Sequence, residues 1–124
     1  MRKIIFTENA PLPVGPYSQA VLANGTLYCS GQLASACLDG DIAAQTDAAC
    51  RNIFAVLQAA DMELQDVVKT TCFLTDMGHF TQFNEVYEKY FSHKPARSCV
   101  AVKELPKGAL VEIEAVATIH SLQQ

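Results

Sequence analysis

The sequence predicts an α+β layered domain, in which one β-sheet is covered on a single face by two helices. Three observations carry that expectation. Short segments of period-two alternation occur at both ends of the chain, and the first of them flank an Asn24-Gly25 hairpin signal. Two segments with apolar positions at intervals of three and four, over residues 42–60 and 80–91, read as amphipathic helices. Each helix follows a strand and returns to a strand, which places both on the same sheet face.

Residues 3–6 form a short first strand. Pro11, Pro13 and Pro16 force an extended connection, because each fixes its own φ and moves the preceding residue out of the helical region. Residues 18–23 and 26–32 are the arms of the hairpin. Asp41 is placed to cap the first helix, whose buried face is Ile42, Thr46, Ala49, Ile53, Val56, Leu57 and Ala60. Asp61 stands where a helix usually ends on glycine, and it adopts the left-handed conformation less easily. Residues 67–75 alternate Val68, Thr70, Cys72 and Leu74 against Val67, Lys69, Thr71 and Phe73, a strand with two distinct faces. Thr75-Asp76-Met77-Gly78 turns into the second helix. Its stripe of Phe80, Phe83, Tyr87, Tyr90 and Phe91 is read as the face that packs on the sheet.

The last two strands, around residues 95–102 and 110–117, carry charge where a buried strand should not. They read as neighbours joined by a tight connection at Leu105-Pro106-Lys107-Gly108. In the second, Val111, Ile113, Ala115 and Ala117 form an apolar face, and Glu112 and Glu114 lie on the other, about 7 Å apart. Arg97, Cys99, Glu112 and Glu114 are expected together on the sheet face away from the helices. Such a face is too mixed for a monomer's core and too apolar for a free surface. It fits either a structural ion pair or an anion-receiving, water-positioning pocket.

Composition narrows the choices. The chain has 124 residues, enough for one domain with a real core, and half of them are hydrophobic, so self-association is expected. The net charge of −4 and the lack of a Lys/Arg cluster argue against nucleic acid as a partner. No apolar run approaches the ~20 residues of a membrane span. Ile4-Ile5-Phe6 is too short for a signal sequence, so a cytoplasmic location is expected. Cys29, Cys37, Cys50, Cys72 and Cys99 lack metal-ligand spacing and read as reduced thiols, mostly in the core. His79, His93 and His120 are scattered, with no H-x-x-x-H pair, so no metal site is expected.

Several motifs line up in order with one family: Gly15-Pro16-Tyr17-Ser18-Gln19-Ala20, Ser30-Gly31-Gln32, residues 68–77, Asn84-Glu85-Val86-Tyr87, and Pro95-Ala96-Arg97-Ser98 followed by Leu105-Pro106-Lys107-Gly108 and Glu112-Ile113-Glu114. With these, the whole chain, read as a single domain over 1–124, closely resembles the RidA/YjgF family of reactive-intermediate deaminases. The resemblance implies a chorismate-mutase-like α+β subunit, with one mixed sheet and two helices on one face. It also implies a homotrimer with its sheets packed inward and a cleft between subunits. The implied activity is hydrolysis of 2-imino acids, tautomers of enamines such as 2-aminoacrylate released by pyridoxal-phosphate enzymes, to 2-keto acids and ammonia. No cofactor or metal is implied.

Carried over residue by residue, the resemblance makes Arg97 the binder of the substrate carboxylate, for which its planar fork is suited. Gly31 offers a backbone N–H to the same carboxylate, and Ser30 beside it orients ligand or water. Tyr17 closes the cleft, Asn84 lies near it, Cys99 lines it, and Glu112 positions the attacking water. Each has a structural alternative: Tyr17 as packing, Ser30 as a strand-end hydroxyl bonded to backbone, Asn84 as a bridge between backbone groups. No histidine-based dyad makes Cys99 a nucleophile. Residues 33–40 are shorter than the family's usual loop, which leaves the preferred side chain of the imino acid open. A regulatory module binding small carboxylates is the alternative reading, and an endoribonuclease a weaker one.

Overall fold

Residues 2–119 are described in a computed structural model. The chain runs β1 (Arg2–Ile5), β2 (Ala20–Ala23), β3 (Thr26–Gln32), α1 (Ile42–Ala59), β4 (Val67–Leu74), α2 (Phe80–Tyr90), β5 (Ala96–Ala101) and β6 (Val111–Thr118). The strands form one six-stranded sheet in the order β1-β2-β3-β6-β4-β5. Only β4 and β5 run parallel; all other neighbours are antiparallel. The parallel pair needs a crossover, which α2 supplies.

Local chemistry accounts for most element boundaries. Asn24 and Gly25 both have positive φ (53° and 82°), as a type I′ turn requires. The Asp41 carboxylate accepts the Ala44 N–H at 2.9 Å and caps α1. At the other end of α1, the Asp61 N–H donates to the Gln58 carbonyl and the Met62 N–H to the Leu57 carbonyl. That is a Schellman closure with Asp61 at φ 59°, in the left-handed region. Met62 and Leu57 are both buried, which supplies the apolar contact such an ending uses.

The core lies between the sheet and both helices. From β6 it takes Val111, Ile113, Ala115 and Ala117, all buried. From α1 it takes Ile42, Thr46, Ala49, Cys50, Ile53, Val56 and Leu57, and from α2 Phe83 and Tyr87, with Phe91 just beyond its end. Tyr87 Oη and Thr70 Oγ1 share a buried hydrogen bond of 2.6 Å, fixing α2 over β4.

The structure corrects four expectations. First, β5 and β6 are not neighbours. After the crossover, β5 pairs with β4 at the sheet edge, and β6 inserts on the other side of β4. Second, Arg97 and Cys99 lie on the helix-covered face and not with the glutamates. Arg97 pairs with Thr70, and Cys99 with Cys72, both buried beneath the helices. Glu112 and Glu114 pair with Phe73 and Thr71, which point to the open face. Third, alternation in β4 is broken at its start: Val67 is buried opposite Ala117 and Val68 is exposed. The register shift between Val67 and Lys69 marks a bulge, which puts one extra residue into the strand. Fourth, β2 begins at Ala20 and not at 18, although the Gln19 carbonyl still accepts the Ser30 N–H one step beyond the pairing of Ala20 with Cys29.

Left-handed geometry at Asp61 is strained for a residue with a Cβ. Asp61→Gly should stabilise the protein by about 0.5–1 kcal/mol after the added freedom of the unfolded chain is allowed for. Thermal unfolding followed by circular dichroism at fixed protein concentration should show a rise of about 2–4 °C. An unchanged or lower midpoint would mean that Asp61 makes a compensating interaction.

Candidate functional site

A cavity of about 430 Å³ opens where the loop after β1 passes over the ends of β3 and β6. The loop is held by Gln19, a buried side chain at the start of the hairpin. Its Oε1 accepts the Thr7 N–H at 2.8 Å, and its Nε2 donates to the carbonyls of Thr7 and Pro11 at 3.0 and 2.9 Å. Three prolines cannot donate to a ladder, so a side-chain amide organises this segment. The result is a fixed apolar wall of Pro11, Leu12 and Val14, with Tyr17 half exposed at its end.

Strand β3 forms the floor. Its pairing with β6 jumps from Cys29–Ala115 to Gln32–Ile113, so Ser30 and Gly31 bulge opposite Glu114. The Ser30 hydroxyl donates to the Ser18 carbonyl at 2.6 Å, so its proton is already committed and it can only accept from a ligand. Gly31 lies directly under Glu112. A Cβ built on Gly31 would sit 2.7 Å from Glu112 Cδ, closer than nonbonded carbons approach, so a larger residue here would make the Glu112 side chain swing away from its present position. Glu114 follows on the same face, and Pro106 and Lys107 close the rim, Lys107 with φ 62°. Burial, and then the negative charge of Glu114, push the Glu112 carboxyl above the ordinary carboxylate range. Among the described residues the one ion pair is Arg51–Asp47, so neither glutamate is neutralised by a neighbouring cation.

A second group lies on the other face. Arg97 projects from edge strand β5 toward α2, where its Nη1 donates to Asn84 Oδ1 at 2.8 Å. Its guanidinium carbon lies 4.9 Å from the Tyr87 ring centre, 5.5 Å from that of Phe80 and 5.8 Å from that of Phe83. Those are cation–π distances. Arg97 is therefore half-buried with no carboxylate partner among the described residues. Cys99 follows two residues later, half-buried. Burial pushes its thiol above the usual value and outweighs the nearby Arg97, so it is not a preformed thiolate.

One chain thus brings Tyr17, Ser30, Gly31 and Glu112 into one group and Arg97, Asn84 and Cys99 into another. It does not bring the two groups together. Asn84, read as a possible bridge between backbone groups, instead holds the arginine. Gln19 was missed as an organiser of the site. Its signal was a polar side chain between a proline-rich segment and a strand. The second role of the aromatic stripe was also missed, although 80, 83, 84 and 87 share one helical face. Among the described residues no three His, Cys, Asp or Glu side chains converge on a metal position. Among the same residues, no helix is long and apolar enough to cross a membrane. His120 lies outside the described residues.

Comparison with known proteins adds four findings. The family model described as endoribonuclease L-PSP matches residues 7–119. A RutC family protein of Pyrococcus horikoshii is 49% identical over 123 residues, covering 94% of this chain and 98% of that protein. The 2-iminobutanoate/2-iminopropanoate deaminase of Homo sapiens is 43% identical over 123 residues, covering 94% of this chain and 90% of the human protein. The solved structure of E. coli TdcF with bound serine superposes with a TM-score of 0.90 at 36% identity, covering 95% of this chain and 99% of that one.

Glu114→Gln removes the like charge beside Glu112. The Glu112 carboxyl should then titrate at lower pH, read directly by carbon-13 carboxyl NMR. A folded-state value above the unfolded one means that the native protein holds the proton more tightly, so ionising Glu112 subtracts stability as pH rises through that window. The variant should accordingly lose less stability across the same pH range. An unmoved titration would show that the two carboxylates do not sense each other.

Proposed function

Because this chain belongs to the RidA/YjgF family, we propose that it hydrolyses 2-imino acids, the tautomers of enamines released by pyridoxal-phosphate enzymes, to 2-keto acids and ammonia. The observation that carries the reading is Arg97: a half-buried guanidinium, oriented by Asn84, with one bond accounted for and no carboxylate to pair with among the described residues. A small carboxylate is the complement of such a group. The human relative's name supports the class of substrate.

In this reading Arg97 and the Gly31 N–H hold the substrate carboxylate. Glu112, its carboxyl raised toward a useful range for a base, takes a proton from water as the oxygen bonds to the imine carbon. The C=N electron pair moves to nitrogen and gives a carbinolamine. That proton passes from Glu112 to nitrogen to complete the neutral carbinolamine; the Glu112 carboxylate then takes the hydroxyl proton and delivers it to nitrogen as the C–N bond breaks, so ammonia leaves and the carbonyl forms. Orientation supplies most of the effect. Tyr17 and Leu12 screen the cleft from solvent, Ser30 accepts from the ligand or its water, and Cys99 lines the arginine's side.

Because Arg97 and Glu112 lie on opposite faces of one sheet, the complete cleft needs a second copy. The open sheet face supports this: Ile4 is 68% exposed, Tyr28 53% and Val100 45%, with Phe73 and Val116 half-buried beside them. In the proposed homotrimer these faces pack together, and the Glu112 group of one subunit meets the Arg97 group of the next. A carboxylate sensor would use the same arginine, but the raised Glu112 carboxyl favours turnover. Unpaired Glu112 and Glu114 would repel a phosphate backbone, which disfavours a nuclease.

Two predictions test this. Arg97→Ala should abolish hydrolysis of enzymatically generated 2-aminoacrylate and weaken 2-oxobutanoate binding, with poor rescue by Arg97→Lys. Glu112→Gln should lower turnover while leaving 2-oxobutanoate binding largely intact, measured by steady-state kinetics and calorimetry. Full activity in Arg97→Ala would overturn the assignment. The second prediction concerns assembly. Light scattering should report a trimer, and co-refolding equal amounts of the two impaired variants should restore roughly a quarter of the sites, since a mixed ring pairs intact halves. A stable monomer, or mixtures no more active than the average of the parents, would refute the shared cleft.

A further inference from the structure

We propose that Phe80 and Tyr87 are positioning residues for Arg97: a ring platform that holds the guanidinium in place without neutralising it. The inference rests on the reading of Arg97 as the carboxylate binder. Arg97 stands on an edge strand whose neighbours Ala96, Ser98 and Val100 are exposed, so strand packing alone does not fix its long side chain. A free arginine side chain carries considerable rotamer entropy, which a ligand would have to overcome. Here the side chain lies against three rings of one helix face, at 4.9, 5.5 and 5.8 Å, and Asn84 of the same face takes Nη1.

The platform is itself anchored. Tyr87 Oη is bonded to Thr70 Oγ1, and Thr70 is the residue that pairs with Arg97 across the β4–β5 ladder. Backbone pairing, side-chain hydrogen bond and cation–π contact therefore close a circuit from Arg97 back to Arg97. Tyr87 also packs against Phe83 at 5.4 Å and Phe91 at 4.7 Å, which keeps its ring plane fixed. A carboxylate at position 80 or 87 would hold the arginine more strongly but would occupy it. Glu85 and Glu88 of α2 are exposed and make no ion pair with it. Rings attract the cation and leave its charge available to an incoming anion.

The test compares Phe80→Leu, Phe80→Trp, Tyr87→Leu and Tyr87→Phe in the full-length protein, reading KM, kcat, 2-oxobutanoate affinity and thermal midpoint. Removing either ring should raise KM and the dissociation constant about five- to tenfold, with kcat within about twofold, because uniform binding is lost. The aromatic replacements should restore affinity, Tyr87→Phe doing so despite a lower midpoint from the lost Thr70 bond. A nitrogen-15 spectrum of the wild-type protein provides a readout independent of any variant: the Arg97 Nε–H proton should be shifted upfield by ring currents. Unchanged affinity in folded Phe80→Leu and Tyr87→Leu, equal losses in the aromatic replacements, or an unshifted Nε–H signal would each overturn the proposal. A wild-type protein that binds 2-oxobutanoate with this ring dependence but hydrolyses no imine would uphold the platform and refute the hydrolase reading.

Discussion

Strand β6 joins the two halves of the sheet, and its strict alternation decides where charge can go. One side of it, Val111 through Ala117, is fully committed to the core beneath the helices. A single-residue slip would drive Glu112 and Glu114 into that core and expose four apolar side chains, so the register is strongly specified. The carboxylates are therefore fixed on the open face, opposite the bulge at Ser30 and Gly31. The bulge supplies the one position where a backbone without a Cβ can lie under Glu112. Core packing on one face of β6 thus fixes the position of a carboxylate on the other.

The hairpin and its loop act as a second layer of support. Gln19 satisfies three backbone groups of a segment that can form no ladder of its own, so the apolar wall of the cavity is rigid without secondary structure. Gln45 does the same on the far side of β3, donating to the Leu38 and Gly40 carbonyls and accepting the Leu110 N–H that leads into β6. Two buried glutamines thereby tie the irregular parts of the chain to the strand ends that carry the site.

Local signals made the fold readable from the residues. The Asn24-Gly25 turn, the Asp41 cap and the helical faces of α1 and α2 each follow from chemistry within a few residues. Strand order was a different matter. Proximity in sequence and a Pro-Gly turn made β5 and β6 look like neighbours, whereas long-range pairing inserted β4 between them. The same error placed Arg97 on the glutamate face. The candidate site residues stood out in the sequence because Arg, Gly and Glu at those motif positions carry distinct chemistry. Their partition into two groups was not, because it depends on which strand lies between them.

That partition has a physical rationale. An arginine and a glutamate on adjacent strands of one face would pair with each other, and each would be spent on the other before any ligand arrived. With β4 between their strands and the sheet between their side chains, neither reaches the other within a protomer. Arg97 is steadied by uncharged rings and an amide, and Glu112 stays unpaired with its carboxyl raised by burial and by Glu114. Both groups carry an unmet electrostatic demand in the isolated chain. In the proposed homotrimer, opposite halves from two copies would meet with a carboxylate against the guanidinium and a water against the glutamate, and both demands would be met at once. Substrate binding and subunit contact would then satisfy the same groups, and a cleft built in this way would have no functional form in a single chain.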